Sequence, residues 1–200
     1  MEDKLQLLMM EIGFALEGLN TEQHDIVFAV GQAGSWGEAI DDPFVSQAIR
    51  RHFSHLCAIK QLHIDGYAVV NSVNGHLVKP FRRDKSTFKA EKLQLYFANL
   101  GGYIKGEQRE KHKAVLVVAE DITHVKPLAL QDCFCKQMDK IKGAVPHVDD
   151  KAQIGNAEVD DVIKINDTLT GICLLLEPGN TTHEPDSWTN WIITGYKLVP

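Results

Sequence analysis

Lys4-Leu5-Gln6-Leu7 recurs word for word as Lys92-Leu93-Gln94-Leu95, an offset of 88 residues. An internal repeat constrains a chain more than any local propensity, because both copies have to reach one fold. At that offset Gly13 meets Gly101, Gly18 meets Gly106, Glu22 meets Glu110 and His24 meets His112. Val27 and Val30 meet Val115 and Val118, so positions 4 to 30 hold ten identities in 27. Average residue usage would give about two by chance. After a two-residue insertion, Ala39, Asp42, Phe44 and Gln47 meet Ala129, Asp132, Phe134 and Gln137. Further on the match loosens. Residues 64–70 align equally well with 159–165 and with Gly195-Tyr196-Lys197-Leu198-Val199.

The copies correct one another. Residues 4–19 alone read as a helix, being rich in Leu, Met, Ala and Glu. Their counterpart runs Leu93-Gln94-Leu95-Tyr96-Phe97-Ala98-Asn99-Leu100 into Gly101-Gly102, which has the aromatic content and glycine stop of a strand. Both copies are therefore expected to be strands. Residues 25–30 and 114–118 are short, continuous and β-branched, as buried strands are. Leu130, Phe134, Met138 and Ile141 make a helical stripe, repeated more weakly by Ile40, Phe44 and Ala48. A strand near 66–71 or 161–166 closes each unit.

The expected fold is α+β: two tandem ββαβ repeats packed with pseudo-twofold symmetry, in largely antiparallel sheet with helices on one face. One such unit is near the lower limit for independent stability, which favours pairing. The expected boundaries are residues 1–80 for a degenerate first repeat and 81–91 for a basic linker. Residues 92–200 form the second repeat with its aromatic tail. Lys79, Arg82, Arg83, Lys85, Lys89 and Lys92 read as a solvated connector rather than an anion-binding patch. Trp188, Trp191 and Tyr196 in the tail point to a covered sheet edge or a subunit contact.

Charge narrows the partners. A net charge of -6 argues against nucleic acid. No apolar run approaches the roughly 20 residues a bilayer helix needs, so no membrane association is expected. The opening residues lack the basic lead of a secretory signal. Cys57, Cys133, Cys135 and Cys173 contain no C-x-x-C pair and suit a reducing cytoplasm.

The run from Leu95 to Gly102 followed by Glu110-Lys111-His112 resembles a bacterial family catalogued as number 1543 in the domain-of-unknown-function series. Residues Glu22 to Phe28 and an Asp65-Gly66-Tyr67 turn carry the same resemblance. It implies one or two copies per chain and no stated activity. Two positions depart from the pattern: Phe14 replaces the second glycine, and Lys113 replaces the acidic residue at Asp25.

Two constellations bear chemistry. Residues two apart on a strand share a face, so Glu22 with His24, and Glu110 with His112, each set a carboxylate beside an imidazole. Such a pair serves as a general base or as a cap on the strand start. His52, His55, Cys57 and His63 offer zinc-type ligands, at a spacing that fits no standard module. Cys133 and Cys135 point apart on a helix, and Gly101, Gly102 and Gly106 match no phosphate loop. No cofactor is expected. The leading expectation is a non-catalytic binding or interaction module, with a homodimer as one arrangement. The alternative is a small enzyme that uses the Glu-x-His pairs.

Overall fold

The computed structural model describes residues 5–32, 38–82, 92–102, 111–131, 147–148, 162–179 and 191–199. In chain order these form β1 (Leu5–Leu16), β2 (Gln23–Gln32), α1 (Glu38–Asp41), α2 (Pro43–His52), β3 (Ile59–Val70), β4 (Ser72–Val73) and β5 (His76–Arg82). Then come β6 (Gln94–Gly102), β7 (Lys111–Ala119), α3 (Ile122–Ala129), β8 (His147–Val148), β9 (Val162–Lys164), α4 (Ile165–Thr168), β10 (Ile172–Pro178) and β11 (Ile192–Leu198). The fold is α+β, and its strand pairs are antiparallel. No helix among the described residues is long and apolar enough to cross a membrane.

The chain divides into two compact units. One joins Met1–Lys89 to Thr168–Pro200, and the other is Ala90–Asp167. The first unit holds a four-stranded sheet in the order β11-β3-β1-β2 and a three-stranded sheet in the order β10-β5-β4. β1 is central, paired with β2 on one side and β3 on the other. Leu8, Met10, Ile12 and Phe14 of β1 pack into a core with Val45, Ile49 and Phe53. Leu7 and Met9, on the other face, are also fully buried. A segment apolar on both faces satisfies its backbone best between two other strands, which overrides the helical propensity of Leu and Met.

The helix stripe differs from expectation. Phe44 is exposed, and α2 buries Val45 and Ile49 instead. Asp42 interrupts the helix between α1 and α2 and restarts it as an N-cap, its Oδ1 accepting the Phe44 N–H at 2.9 Å. Pro43 then occupies the first turn, where its missing N–H has no partner to lose. The restart changes the helical phase, so a stripe counted through from Ile40 lands one residue off. The corresponding stripe from residue 132 onward lies outside the described residues, and the helix seen in that region is α3.

The boundary at residue 80 is not followed by the strand pairing. Lys79, Pro80, Phe81 and Arg82 lie within β5, paired with Leu175, Leu174, Cys173 and Ile172 of β10. Residues 83–91 of the expected linker lie outside the described residues. The tail does not extend the second unit either. β10 pairs with β5 and β11 with β3, so both tail strands complete the first unit. β11 covers the β3 edge, and Val199 enters the core of that unit.

In the second unit β6 pairs with β7, β8 and β9. The register is informative. Leu7 faces Val30 and Gly13 faces His24 in the β1–β2 ladder, while Leu95 faces Val118 and Gly101 faces His112 in the β6–β7 ladder. The 88-residue offset relates these pairs one to one. Met9 faces Ala68 and Phe97 faces Ile163 on the other side. That assigns residues 162–164 the place of 67–69 and leaves β11 to the first unit.

Candidate functional site

The site is built around Gly13. It faces His24 of β2 on one side and His63 of β3 on the other. Directly opposed residues share a sheet face, so both imidazoles stand on the face opposite α2. A Cβ at Gly13 would lie 2.7 Å from Cε1 of His63, closer still to its Nε2, and 2.9 Å from Oδ2 of Asp65. Only glycine leaves room for the two β3 side chains to cross the central strand.

β3 is bulged on both sides of His63. One register shift falls between Gly13 and Ala15 and the other between Glu11 and Ile12. The first contains Gln61 in the left-handed region at φ 56°. Its carbonyl accepts from Nδ1 of His63 at 2.6 Å. The second makes Asp65 the extra residue of the strand, and bulges re-aim side chains in this way. Asp65 Oδ1 lies 3.2 Å from Nε2 of His63, and Glu22 Oε1 lies 3.1 Å from the same nitrogen. Asp65 Oδ2 reaches to 3.4 Å from Nε2 of His24 and is a buried atom with no hydrogen bond.

The atoms dictate where protons sit. A carbonyl only accepts, so Nδ1 of His63 carries hydrogen. Nε2 then faces two carboxylate oxygens, which also only accept. His63 is 1% exposed, whereas Glu22 and His24 are 47% and 45% exposed. A buried, fully engaged imidazole thus holds a half-open rim of carboxylates and a second imidazole.

The face continues onto β11. Leu198 is paired with His63, and Ile193 with Gly66. One row therefore reads Leu198, His63, Gly13, His24 across four strands, and the next reads Ile193, Gly66, Glu11, Ile26. Ile193 is 78% exposed and Leu198 61%. A Cβ at Gly66 would press on the Ile192 carbonyl at 3.1 Å, while Cδ1 of Ile193 would be in ordinary contact at 3.5 Å.

The expected pairs are regrouped by this geometry. Glu22 and His24 each reach across to β3, which joins them to His63, a residue from the other constellation. Asp65, expected in a turn, lies inside β3. His52 takes a different partner: its Nε2 meets Asp25 Oδ2 at 2.9 Å. Asp25 faces Ile12, so this pair stands on the α2 side of the sheet. α2 ends at His52, which puts His55 beyond the helix. His55 and Cys57 are exposed. The four zinc-type candidates are thus dispersed. Among the described residues no group of three or more His, Cys, Asp or Glu is placed to hold a metal ion. His112 is exposed and faces Gly101. Glu110 lies outside the described residues, as do Cys133 and Cys135.

Asp65, Ile193 and Leu198 were missed in the sequence. A bulge brings in the first, and the pairing of β11 brings in the other two. No family model matches the chain, and no curated protein matches it. Among solved structures, a protein Il1583 from Idiomarina loihiensis is similar, at 20% identity over 98% of each chain with a TM-score of 0.46.

Proposed function

We propose that the protein is a non-catalytic binding module of the cytoplasm, built from a tandem duplication, and that it binds through the sheet face bearing Leu198, His63, Gly13 and His24. The observation that carries this reading is the row itself. Exposed apolar side chains stand directly beside polar groups that a buried histidine holds in place. A reacting imidazole needs a nitrogen free for substrate, and His63 has both engaged. Fixed polar groups beside exposed apolar surface are what a recognition site requires. The test is a fragment library screened by amide chemical shifts on the full-length labelled protein. Binders are expected to perturb Glu22, His24, Ile193 and Leu198 together. Perturbations confined to α2, or to β10 and β5, would rule this face out.

One observation favours a second reading, a small enzyme. His24 is half open and backed by Asp65, which is in turn backed by His63. A carboxylate behind an accessible imidazole is the arrangement of a general base. If any turnover is found, His24→Gln should abolish it. Undiminished turnover in that variant would remove the reading.

A further inference from the structure

We infer that the second unit carries a second copy of the His63–Gly13–His24 row, with His147 in the part of His63, so that one chain holds two binding rows. As a place of binding, the second row rests on the binding-face reading above. As an arrangement of residues, it rests on the ladders alone. Gly13 is flanked by His24 of β2 and His63 of β3. Gly101 is flanked by His112 of β7 and His147 of β8. The neighbouring pair agrees, because Ile12 faces Ile64 where Leu100 faces Val148. Histidine therefore stands on both sides of the same glycine in each unit.

The 88-residue offset accounts for Gly101 and His112. It does not account for His147, which follows His63 by 84 residues. Nine of the 200 residues are histidine, so chance seldom puts one opposite this glycine. The adjoining sequence repeats as well. His63-Ile64-Asp65 in β3 is matched by His147-Val148-Asp149, and Glu22 by Glu110. Glu110 and Asp149 enter by sequence only, since both lie outside the described residues. Sequence alone also aligns Asp65 with Asp160, but the ladder ties the His147 segment to Gly101, which makes Asp149 the residue that follows the pair. The first unit spans this edge with one strand, β3, whereas the second shares it between β8 and β9. Residues 149–161 stand between β8 and β9, where the first unit has only Asp65 and Gly66. The break thus falls where β3 is itself bulged. Strand pairing fixes the alternation of side chains between the two faces and leaves their chemistry free. Any polar residue would meet that demand opposite Gly101, so the return of histidine across an interrupted strand is what pairing leaves unexplained.

The imidazole carbon-bound protons of the full-length labelled protein test the arrangement, and the fragment library tests the binding. His147→Gln should move the resonances of His112, as His63→Gln moves those of His24. Gly101→Ala should move them too. The amides of Leu95 and Val118, paired toward the other end of the β6–β7 ladder, report that the variants are folded. In the parent chain, fragments that move His24 should also move the amides of Gly101, His112 and Val148, with two molecules bound per chain at saturation. An unmoved His112 in both folded variants would overturn the inference. So would hits that shift first-unit amides alone and saturate at one molecule per chain, and the binding-face reading would then survive. Hits that leave both rows untouched would overturn the second row and the binding-face reading together, so the two failures are told apart.

Discussion

At the scale of single residues, Gly13 decides whether the cluster exists. Its neighbours His63 and Asp65 are on the adjacent strand and cannot swing away as a surface lysine would. Gly13→Ala should therefore displace His63 from between Glu22 and Asp65. Overpacking of this kind destabilises by about 1–3 kcal/mol. Urea unfolding measures the loss, and the imidazole carbon-bound protons of His63 report the displacement by NMR. A variant with wild-type stability and an unmoved His63 would show that the strand relaxes around the added methyl. The repeat singled out Gly13, Glu22 and His24 because each recurs 88 residues on. It reaches Asp65 less directly, since by sequence its counterpart Asp160 appears only at a different offset, in the looser alignment of 64–70 with 159–165. Asp65 acts through a bulge, and a bulge is a mismatch between two strands that neither strand shows alone.

At the scale of elements, the tail is the part whose sequence says least about its place. β11 closes one edge of the main sheet, and Arg50 donates to the Val199 carbonyl at 3.2 Å. Val199 N–H donates to the Leu62 carbonyl at 3.0 Å. Ending the chain after Trp191 removes a core residue and bares the β3 edge. The expected cost is about 3 kcal/mol or more, with association through the open edge. Urea unfolding and light scattering read the two effects, and an equally stable monomer would contradict both. Other elements carried local signals. Asn74-Gly75 is a two-residue hairpin turn with both residues at positive φ, and it joins β4 to β5. It sits just ahead of the segment taken for a linker. Among the described residues β4 pairs only with His76 and Leu77, so Pro80 has a ladder partner on one side alone, where a proline is tolerated.

At the scale of the whole chain, two buried tyrosines give a pH dependence. Burial raises the ionisation of Tyr67 above the usual tyrosine range, and Asp41 adds to the shift. Burial does the same for Tyr96 in the second unit, with Asp121 and Asp167 adding to it. The folded chain keeps these protons to higher pH than the unfolded chain does. The stabilisation is therefore complete below about pH 10 and is lost as pH rises through the folded values. The urea midpoint should fall above about pH 10, and Tyr67→Phe with Tyr96→Phe should flatten that fall. A midpoint that stays constant through this range in the parent chain would refute the assignment.

Strand character in β1 and β6, the β-branched strands after them and the α+β class were all legible in the residues. They follow from local composition and from an offset that makes two segments share one answer. The offset also implies that the two ladders share one register, and the β1–β2 and β6–β7 pairs do so, although the pairs themselves come from the structure. The place of β11, the phase of α2 after Asp42 and the bulges that turn Asp65 and the Gln61 carbonyl toward His63 were not legible. Each depends on which strand lies alongside, how a helix restarts or where two ladders fall out of step. These are relations between distant segments, and no window of the sequence contains both partners.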